Sequence, residues 1–332
     1  KHISQCGFEN SPTKMLHIDD IIISARGTVG EIAMIPFDMA FNQSCYGIRA
    51  SRGIDKPFLY YLLKNCISQL KRMTHGSVFD TITRDTFANI EVDIPDAETQ
   101  KRISSVLADI DNKIEVNDAI NDNLQQQAAA LFSSLYDRTN TEVRFTDLIQ
   151  ILGGGTPKTG ENTYWNGNIA FFTPKDVGTP YTLITEKTIT EEGLSHCNSR
   201  LYPVNTVFVT ARGTVGKVGM SGVPMAMNQS CYALVGKETH QLLVYFYTLK
   251  VVDRLKHKAS GAVFDAITTK DFESEQIMKL SDDDARAFLC IAEPMFQKVL
   301  NNCIENLRLS TLRDSLLPKL MSGEIDVSAV QL

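Results

Sequence analysis

One long stretch near the middle of the chain limits what the rest can fold into. From Glu98 to about Asp137, apolar residues return in alternating steps of three and four, which predicts one continuous helix with a heptad stripe. At ~1.5 Å per residue, about 40 helical residues span about 60 Å, too long for the core of one small domain. Such a helix needs a partner of similar length.

The same stripe returns near the C-terminus, interrupted only at Arg313, so a partner lies in the same chain. Both stripes also contain an asparagine pair: Asn117 and Asn121 in the first, Asn302 and Asn306 in the second. An antiparallel coiled coil in which the two pairs face each other would fix the register of the helices. The alternative is two separate helices with narrow buried faces. Because proline lacks the amide donor, Pro294 predicts a kink or a late start of the second helix.

The segments that precede the two helices repeat as well. At an offset of 185 to 186 residues, three motifs of the first half match three of the second: 24–30 (SARGTVG) and 210–216 (TARGTVG), 42–46 and 228–232 (both NQSCY), 76–80 (GSVFD) and 261–265 (GAVFD). The chain is therefore predicted to contain two copies of one fold. The second copy starts near Thr141 and has residues that the first lacks, so the first is expected to be incomplete at its N-terminus.

The fold class follows from the local patterns. Strands are predicted at 21–24, 207–210, 40–46, 226–232 and 90–94, and amphipathic helices at 57–74 and 240–258. This pattern is α+β: two repeated domains separated by a long antiparallel two-helix coiled coil, with pseudo-two-fold symmetry. The predicted segments are 1–96 (first domain), 97–140 (first helix), 141–280 (second domain) and 281–332 (second helix and C-terminal tail).

Composition narrows the function classes. The sequence has no apolar run of about 18 residues and no signal peptide, which predicts a cytoplasmic protein with no membrane partner. Seven cysteines form no C-x-x-C pair and six histidines show no metal-ligand spacing, so no metal site is predicted. The net charge is −6, but the acidic excess lies in the two helical segments. The globular parts are close to neutral and can still carry a local basic face.

Two glycine-containing motifs are candidates for phosphate or base contacts. In 153–158 (GGGTPK), Pro157 separates the glycines from Lys158, so the motif is not a P-loop. It is either a tight surface turn or a loop whose amides contact a DNA phosphate. The Arg-Gly-Thr-Val-Gly turns are either hairpin connections or present Arg26 and Arg212 to guanine edges and phosphates, for which a planar guanidinium is suited.

The remaining motifs do not indicate catalysis. The repeated Asn-Gln-Ser segments contain four amide side chains: Asn42, Gln43, Asn228 and Gln229. These amides either cap or brace strands, or read adenine. Asp80 and Asp265 have no paired carboxylate or nearby histidine, as acid–base catalysis would require. No nucleophile–base arrangement and no nucleotide or S-adenosylmethionine motif is found, so the chain is predicted not to be an enzyme.

Taken together, these motifs resemble the specificity (S) subunit of type I restriction-modification systems. The resemblance rests on 153–158, on both copies of the Arg-Gly and Asn-Gln-Ser motifs, and on 316–325 (LLPKLMSGEI). It covers essentially the whole chain. It implies two target-recognition domains, each reading half of a bipartite double-stranded DNA site, separated by conserved helices that also dock two methyltransferase subunits. It also implies restriction subunits, and places S-adenosylmethionine, ATP and Mg on the partner subunits, with no cofactor for the chain itself.

The predicted DNA contacts lie on loops, where a rigid core presents side chains to a ligand. They are Arg26, Thr28, Asn42 and Gln43 in the first unit, and Thr156, Lys158, Lys175, Arg212, Thr214, Lys217, Asn228 and Gln229 in the second. Glu31 replaces Lys217 in the first unit and is expected to alter the phosphate contact. Three alternatives stay open: a specificity subunit of a related type II-like methylation or restriction system, a coiled-coil scaffold without DNA readout, and an enzyme that turns over substrate by itself.

Overall fold

The chain forms two compact units that each contain part of both long helices. Unit 1 comprises Lys1–Val116 and Asn306–Leu332, and unit 2 comprises Asn117–Glu305. The structure, a computed structural model, describes residues 2–73, 81–258 and 266–328. The predicted motifs at 76–80 and 261–265, which include Asp80 and Asp265, lie outside the described residues. The predicted segment limits stay predictions.

Unit 1 consists of short strands followed by helices. Its elements are α1 (Gln5–Glu9), β1 (Met15–Leu16), β2 (Ile21–Ser24), β3 (Ile32–Met34), β4 (Met39–Ala40), β5 (Cys45–Ile48), α2 (Lys56–Met73), α3 (Arg84–Ala88) and the start of α4 (Ala97–Tyr136). An antiparallel three-stranded sheet has the order β3-β2-β5, and β1 pairs with β4. Asp96 caps α4, because its Oδ1 accepts from the amides of Glu98 (2.9 Å) and Thr99 (3.0 Å). The hydrogen bonds from Thr99 lower the pKa of Asp96.

Unit 2 contains the larger set of strands. Its elements after α4 are β6 (Glu142–Arg144), α5 (Phe145–Leu148), β7 (Ile149–Gly153), β8 (Trp165–Phe172), β9 (Tyr181–Thr182), β10 (Lys187–Ile189), α6 (Glu191–Ser195), β11 (Val207–Thr210), β12 (Val218–Ser221), β13 (Met225–Met227), β14 (Cys231–Gly236), α7 (Gln241–Lys258), α8 (Thr269–Ser274), β15 (Gln276–Met278) and the start of α9 (Asp282–Met321). The strands form a five-stranded sheet β7-β14-β11-β12-β9, a three-stranded sheet β10-β8-β13 and the pair β15-β6.

The core of unit 2 forms where α4 and α9 meet α7. Phe132 of α4, Phe246 of α7 and Phe288 of α9 are buried, with ring centroids 5.0 to 5.5 Å apart. Each such burial stabilises the fold by about 2 kcal/mol. Further along, Asn302 Nδ2 donates to Asn121 Oδ1 at 2.8 Å. In unit 2, positions that come later in α4 therefore face positions that come earlier in α9, so the two helices are antiparallel.

In unit 1, the same helices pack against α2 through an apolar cluster and a polar triad. Leu107 and Leu317 are buried in the cluster. Beside it, Asp111 accepts a hydrogen bond from the Tyr61 hydroxyl (2.8 Å) and one from Arg313 Nη1 (2.6 Å). Burial and the contact with Asp111 raise the pKa of Tyr61. Arg313, which interrupts the heptad stripe, therefore has a carboxylate partner on the facing helix.

Unit 2 has apolar residues at the positions equivalent to this triad. By the repeat, Phe246, Phe296 and Ala128 replace Tyr61, Asp111 and Arg313. All three belong to the buried cluster of unit 2, and the rings of Phe246 and Phe296 lie 5.5 Å apart. At equivalent positions of the helix packing, unit 1 therefore has a hydrogen-bonded ion pair and unit 2 has apolar side chains.

Most predicted elements are confirmed. The first long helix runs from Ala97 to Tyr136, strands form at Ile21–Ser24 and Val207–Thr210, and helices form at Lys56–Met73 and Gln241–Lys258. The α+β class with two repeated units and a long antiparallel helix pair is confirmed as well. Among the residues that the structure describes, no helix combines the length and apolarity that a membrane span needs.

The prediction of one continuous strand at 40–46, and of another at 226–232, is wrong. Each is interrupted, giving β4 and β5 in unit 1 and β13 and β14 in unit 2. The interruption is a turn closed by an asparagine side chain: Asn42 Oδ1 accepts from the amide of Ser44 (2.9 Å), and Asn228 Oδ1 accepts from that of Ser230 (3.0 Å).

The strand predicted at 90–94 is also wrong. The equivalent strand of unit 2, β15, pairs with β6. Within the described residues, unit 1 has no counterpart of β6, so 90–94 is not part of a sheet.

The late start predicted for the second helix at Pro294 is wrong. The helix begins at Asp282, capped by Ser281, whose hydroxyl accepts from the Asp284 amide at 3.1 Å. Pro294 cannot donate to the carbonyl of Cys290, but both residues lie on the exposed face, where water can satisfy that carbonyl.

We predict that Asp111→Ala lowers the free energy of unfolding by about 2 to 3 kcal/mol, because it leaves Arg313 largely buried without its facing carboxylate and removes the acceptor of Tyr61. Urea unfolding followed by circular dichroism measures the change. Asp314→Ala is the control: Asp314 also lies 2.8 Å from Arg313, but its side chain is 60% exposed. Its loss should cost less than about 1 kcal/mol. Equal effects of the two substitutions would contradict a role for the buried triad.

Candidate nucleic-acid interface

Four loops of unit 2 lie close together, each at the point where a strand ends. They follow β7, β8, β11 and β13 and comprise residues 154–158, 173–176, 211–217 and 228–230; we call them the loop cluster. Backbone hydrogen bonds hold them together: the Gly155 amide donates to Met227 O (3.0 Å), and the Asn228 amide donates to Phe172 O (2.9 Å). The cluster is therefore an extension of the sheet core rather than a set of independent loops.

The Arg-Gly turn joins β11 to β12 and is clamped by one threonine. The Thr210 hydroxyl accepts from the Lys217 amide (2.9 Å) and donates to the carbonyl of Thr214. Gly213 (φ 81°) and Gly216 (φ 76°) have the left-handed backbone that favours glycine. The repeated Thr-Ala-Arg-Gly-Thr-Val-Gly pattern thus corresponds to one closed turn.

Arg212 lies on this turn with an exposed side chain. Its amide and that of Ala211 both donate to Ser230 O, at 3.3 and 2.8 Å. The guanidinium has no hydrogen bond or ion pair with any residue that the structure describes. The backbone of Arg212 is therefore fixed, while its side chain is available to a ligand.

Several predicted contact residues are brought together around Arg212. The Thr214 hydroxyl donates to Pro174 O (3.1 Å), and the Thr156 hydroxyl donates to Gln229 Oε1. Lys175, next to Pro174, is 80% exposed and lies 3.7 Å from Glu186. These side chains therefore lie on loops that are joined to one another by hydrogen bonds.

The glycine-rich segment 153–158 was predicted to be either a tight turn or a loop that contacts phosphate, and the structure shows close packing of its glycines. A Cβ at Gly154 would lie 2.2 Å from the carbonyl oxygen of Asn228, and one at Gly155 would lie 2.6 Å from the amide of Asn198. The segment is therefore a close-packed turn. Lys158 is exposed beyond it, and its carbonyl accepts from Trp165 Nε1 at 3.1 Å.

For Asn42 and Asn228, bracing of the turn is visible, since their Oδ1 atoms close the Asn-Gln-Ser turns. Readout of adenine by these amides stays a prediction. Gln43 is exposed in unit 1, as Gln229 is in unit 2. Burial raises the pKa of Cys231, which follows the turn in unit 2, to about 12, so this thiol is neutral.

Unit 1 repeats the turn with a serine as the clamp. The Ser24 hydroxyl accepts from the Glu31 amide at 2.9 Å, and Gly27 and Gly30 have φ values of 81° and 82°. Arg26 and Thr28 are exposed on it, as Arg212 and Thr214 are in unit 2. The described residues of unit 1 supply counterparts for two of the four loops.

The predicted register residues lie along the two long helices. Asn302 Nδ2 donates to Asn121 Oδ1 at 2.8 Å, and Asn117 Nδ2 donates to Glu305 Oε2 at 2.9 Å. Asn306 is half-buried at the start of the α9 segment of unit 1. That these residues set the register stays a prediction.

Two lysines near the turn were missed from the sequence. Lys250 and Lys256 of α7 line a groove together with Lys217. Lys256 belongs to the basic last turn of α7, which is a weak signal, and no pattern marks Lys250. Across the described part of the chain, no group of three or more histidine, cysteine, aspartate or glutamate side chains could hold a metal ion.

Comparisons with known proteins agree on one family. The family model described as "Type I restriction modification DNA specificity domain" matches residues 3–126 and 138–279. The specificity subunit of the type I restriction enzyme MjaIX from Methanocaldococcus jannaschii is 23% identical over 336 residues, covering 92% of this chain and 78% of that protein. The HindI specificity subunit from Haemophilus influenzae is 24% identical and covers 81% and 77%, respectively. The crystal structure of the S subunit of a type I restriction-modification system from M. genitalium shares the fold, with a TM-score of 0.57 at 17% identity and coverage of 93% and 84%.

The clamp of the turn is testable. We predict that Thr210→Val, which keeps the shape but removes the hydroxyl, leaves the Lys217 amide and the Thr214 carbonyl without their partner and weakens the turn by about 1 to 3 kcal/mol. Hydrogen exchange at the Lys217 amide should then be about 5- to 160-fold faster. Thr210→Ser, which copies unit 1, should retain the parent rate. An unchanged rate in Thr210→Val would mean that the strands alone hold the turn.

Proposed function

Because the chain belongs to the family of type I restriction-modification DNA specificity domains, we propose that it recognises a bipartite double-stranded DNA target and directs methyltransferase and restriction subunits to it. Each unit supplies one reading surface. The observation that carries this proposal is the exposed arginine on a clamped turn, Arg212 in unit 2 and Arg26 in unit 1.

The geometry of the turn suits base readout. A guanidinium can donate two parallel hydrogen bonds to guanine O6 and N7 in the major groove. The turn backbone is already fixed by Thr210 and by two glycines, so binding needs to order only the side chain. Around Arg212, the hydroxyl and amide groups of Thr214, Thr156 and Gln229 supply further donors and acceptors. In this proposal, Arg212 reads a base and Lys158 and Lys175 contact phosphates.

The chemistry of modification belongs to the partners in this proposal. The chain is a recognition subunit without a catalytic role, and two methyltransferase subunits carry S-adenosylmethionine. Restriction subunits bring ATP and Mg, and the complex acts in the cytoplasm. Two copies of the methyltransferase fit a chain that presents the same fold twice. Selection of duplexes from a random pool by the chain with its methyltransferase subunits tests the proposal: it predicts two short specified blocks separated by unread positions.

We predict that Arg212→Ala weakens binding to the selected duplex by about 1 to 3 kcal/mol and removes base discrimination in one half-site only. Arg26→Ala should do the same in the other half-site. Affinities for duplexes altered in one half-site at a time, at constant salt, measure both effects.

The control is Arg286→Ala on α9, which removes an exposed arginine whose ion pair, among the residues that the structure describes, is with Asp283 one turn earlier. It should bind like the parent. If Arg212→Ala also binds like the parent, or loses its folded circular dichroism spectrum instead of affinity, then the turn has a structural role and does not read DNA.

A further inference from the structure

A groove of about 610 Å³ lies beside the loop cluster of unit 2, between the Arg-Gly turn and helices α7 and α4. Its apolar walls include Phe132, Val218 and Val252. Three lysines also line it: Lys217, Lys250 and Lys256. We propose that this lysine groove holds the sugar-phosphate backbone next to the half-site that unit 2 reads. The inference rests on the function proposed above and adds a second contact region to it.

The lysines are held on different elements around the groove. Lys217 ends the Arg-Gly turn and is exposed. Lys256 lies against the same turn, since its Cε would be 2.6 Å and its Nζ 3.5 Å from a Cβ placed at Gly216. Lys250 Nζ donates to Ser133 Oγ at 3.2 Å and lies 5.3 Å from the centre of the Tyr136 ring. The groove is thus lined by cations whose positions are set by two helices and a turn.

None of these three ammonium groups has a carboxylate at salt-bridge distance among the described residues. Neighbouring cations on α7 differ in this respect: Arg254 and Lys258 both pair with the buried Glu275. Among the described residues that line the groove, Asp253 carries a carboxylate, and it lies 3.7 Å from His257. Like charges collected in one groove repel each other, and a polyanion that lies between them relieves this repulsion.

The equivalent groove of unit 1 helps to identify the occupant. Its apolar lining is kept, with Ile32 and Ile67 in place of Val218 and Val252. Its charge is only partly kept. Glu31 replaces Lys217 and Asn65 replaces Lys250, whereas Lys64 replaces Leu249 and Lys71, whose side chain lies outside the described part of the chain, stands at the position of Lys256. The described lining of unit 1 therefore carries one carboxylate and one lysine, with no basic excess.

This difference favours DNA over a protein partner. A partner that binds once to each unit would meet the same surface twice and would require the same charges in both grooves. Half-sites are read separately, so the backbone contacts next to them can differ. The groove is also continuous with the reading surface, because Lys217 closes the turn that carries Arg212.

Backbone contacts have a signature that base contacts lack. Each phosphate neutralised by a lysine steepens the dependence of log affinity on log salt by about 0.9. Three contacts would contribute about 2.7, which corresponds to about a 40-fold change in affinity between ~50 and ~200 mM salt. Discrimination between bases should not depend on them.

The test uses the full chain with its methyltransferase subunits and the duplex selected from the random pool. The variant Lys217→Gln/Lys250→Gln/Lys256→Gln should show a salt dependence that is shallower by up to about 2.7, with base discrimination in both half-sites unchanged. Lys217→Arg/Lys250→Arg/Lys256→Arg keeps the charges and should keep the parent salt dependence. Lys298→Gln, on the exposed face of α9, is the matched control for loss of one charge.

An unchanged salt dependence in the triple glutamine variant would overturn the proposal. It would also be overturned if that variant kept its salt dependence but no longer held methyltransferase subunits in gel filtration, since the groove would then be a protein-docking surface. Should the triple variant fail to fold, the exposed single variant Lys217→Gln decides, with an expected change of about 0.9. Failure of the proposed function is distinguishable, because the parent complex would then select no sequence at all.

Discussion

The burial of one face of each long helix is the constraint on which the rest of the structure depends. Both α4 and α9 have 40 residues, and neither can leave its apolar stripe in water. Each unit meets this requirement locally by packing the two helices against a third, α2 in unit 1 and α7 in unit 2. Because α7 also covers the five-stranded sheet, the same packing positions the turn that carries Arg212. The proposed reading surface is therefore tied to the helix core by direct packing.

The two units solve the same packing problem with different chemistry. In unit 2, Phe246 and Phe296 contribute burial, which stabilises by about 2 kcal/mol per ring. In unit 1, Asp111 and Arg313 form a partly buried ion pair, which contributes little net stability but is costly to break. By the repeat, Ala128 stands at the position of Arg313, and Phe296 stands at the position of its carboxylate partner Asp111. The triad of unit 1 is therefore expected to add less net stability than the aromatic contact of unit 2.

Some features of the molecule were visible in the sequence because they repeat over many residues. The heptad pattern placed the ends of α4 within one residue, and the duplicated motifs identified both turns. Other features depend on contacts that no local pattern contains. The partner of Arg313 lies on the other helix, and the tolerance of Pro294 depends on its exposure. The break of two strands at the Asn-Gln-Ser turns was missed because three polar residues between apolar ones fit one strand as well as two, and the asparagine hydrogen bond that closes the turn leaves no periodic pattern.

The same distinction holds for the candidate site. Arg212 and Arg26 could be singled out because they recur on glycine-flanked turns. Bracing by Asn228 was one of the two roles that the sequence left open, and the structure shows it directly. That Lys250 and Lys256 share a groove with Lys217 could not be predicted, since it depends on which elements meet in space. Residues of α7 looked like an ordinary amphipathic helix because periodicity reports the buried face and not what the exposed face adjoins.

Each unit is expected to read its own half of the DNA target, and exchanging one unit tests this most directly. Residues 138–279 would be replaced by the corresponding segment of another family member, and DNA from cells that also produce the methyltransferase subunits would be sequenced for methylated positions. The expected result is a split methylation motif in which one half changes and the other is retained. A motif that changes in both halves, or an uninterrupted motif in the parent, would contradict independent reading by the two units.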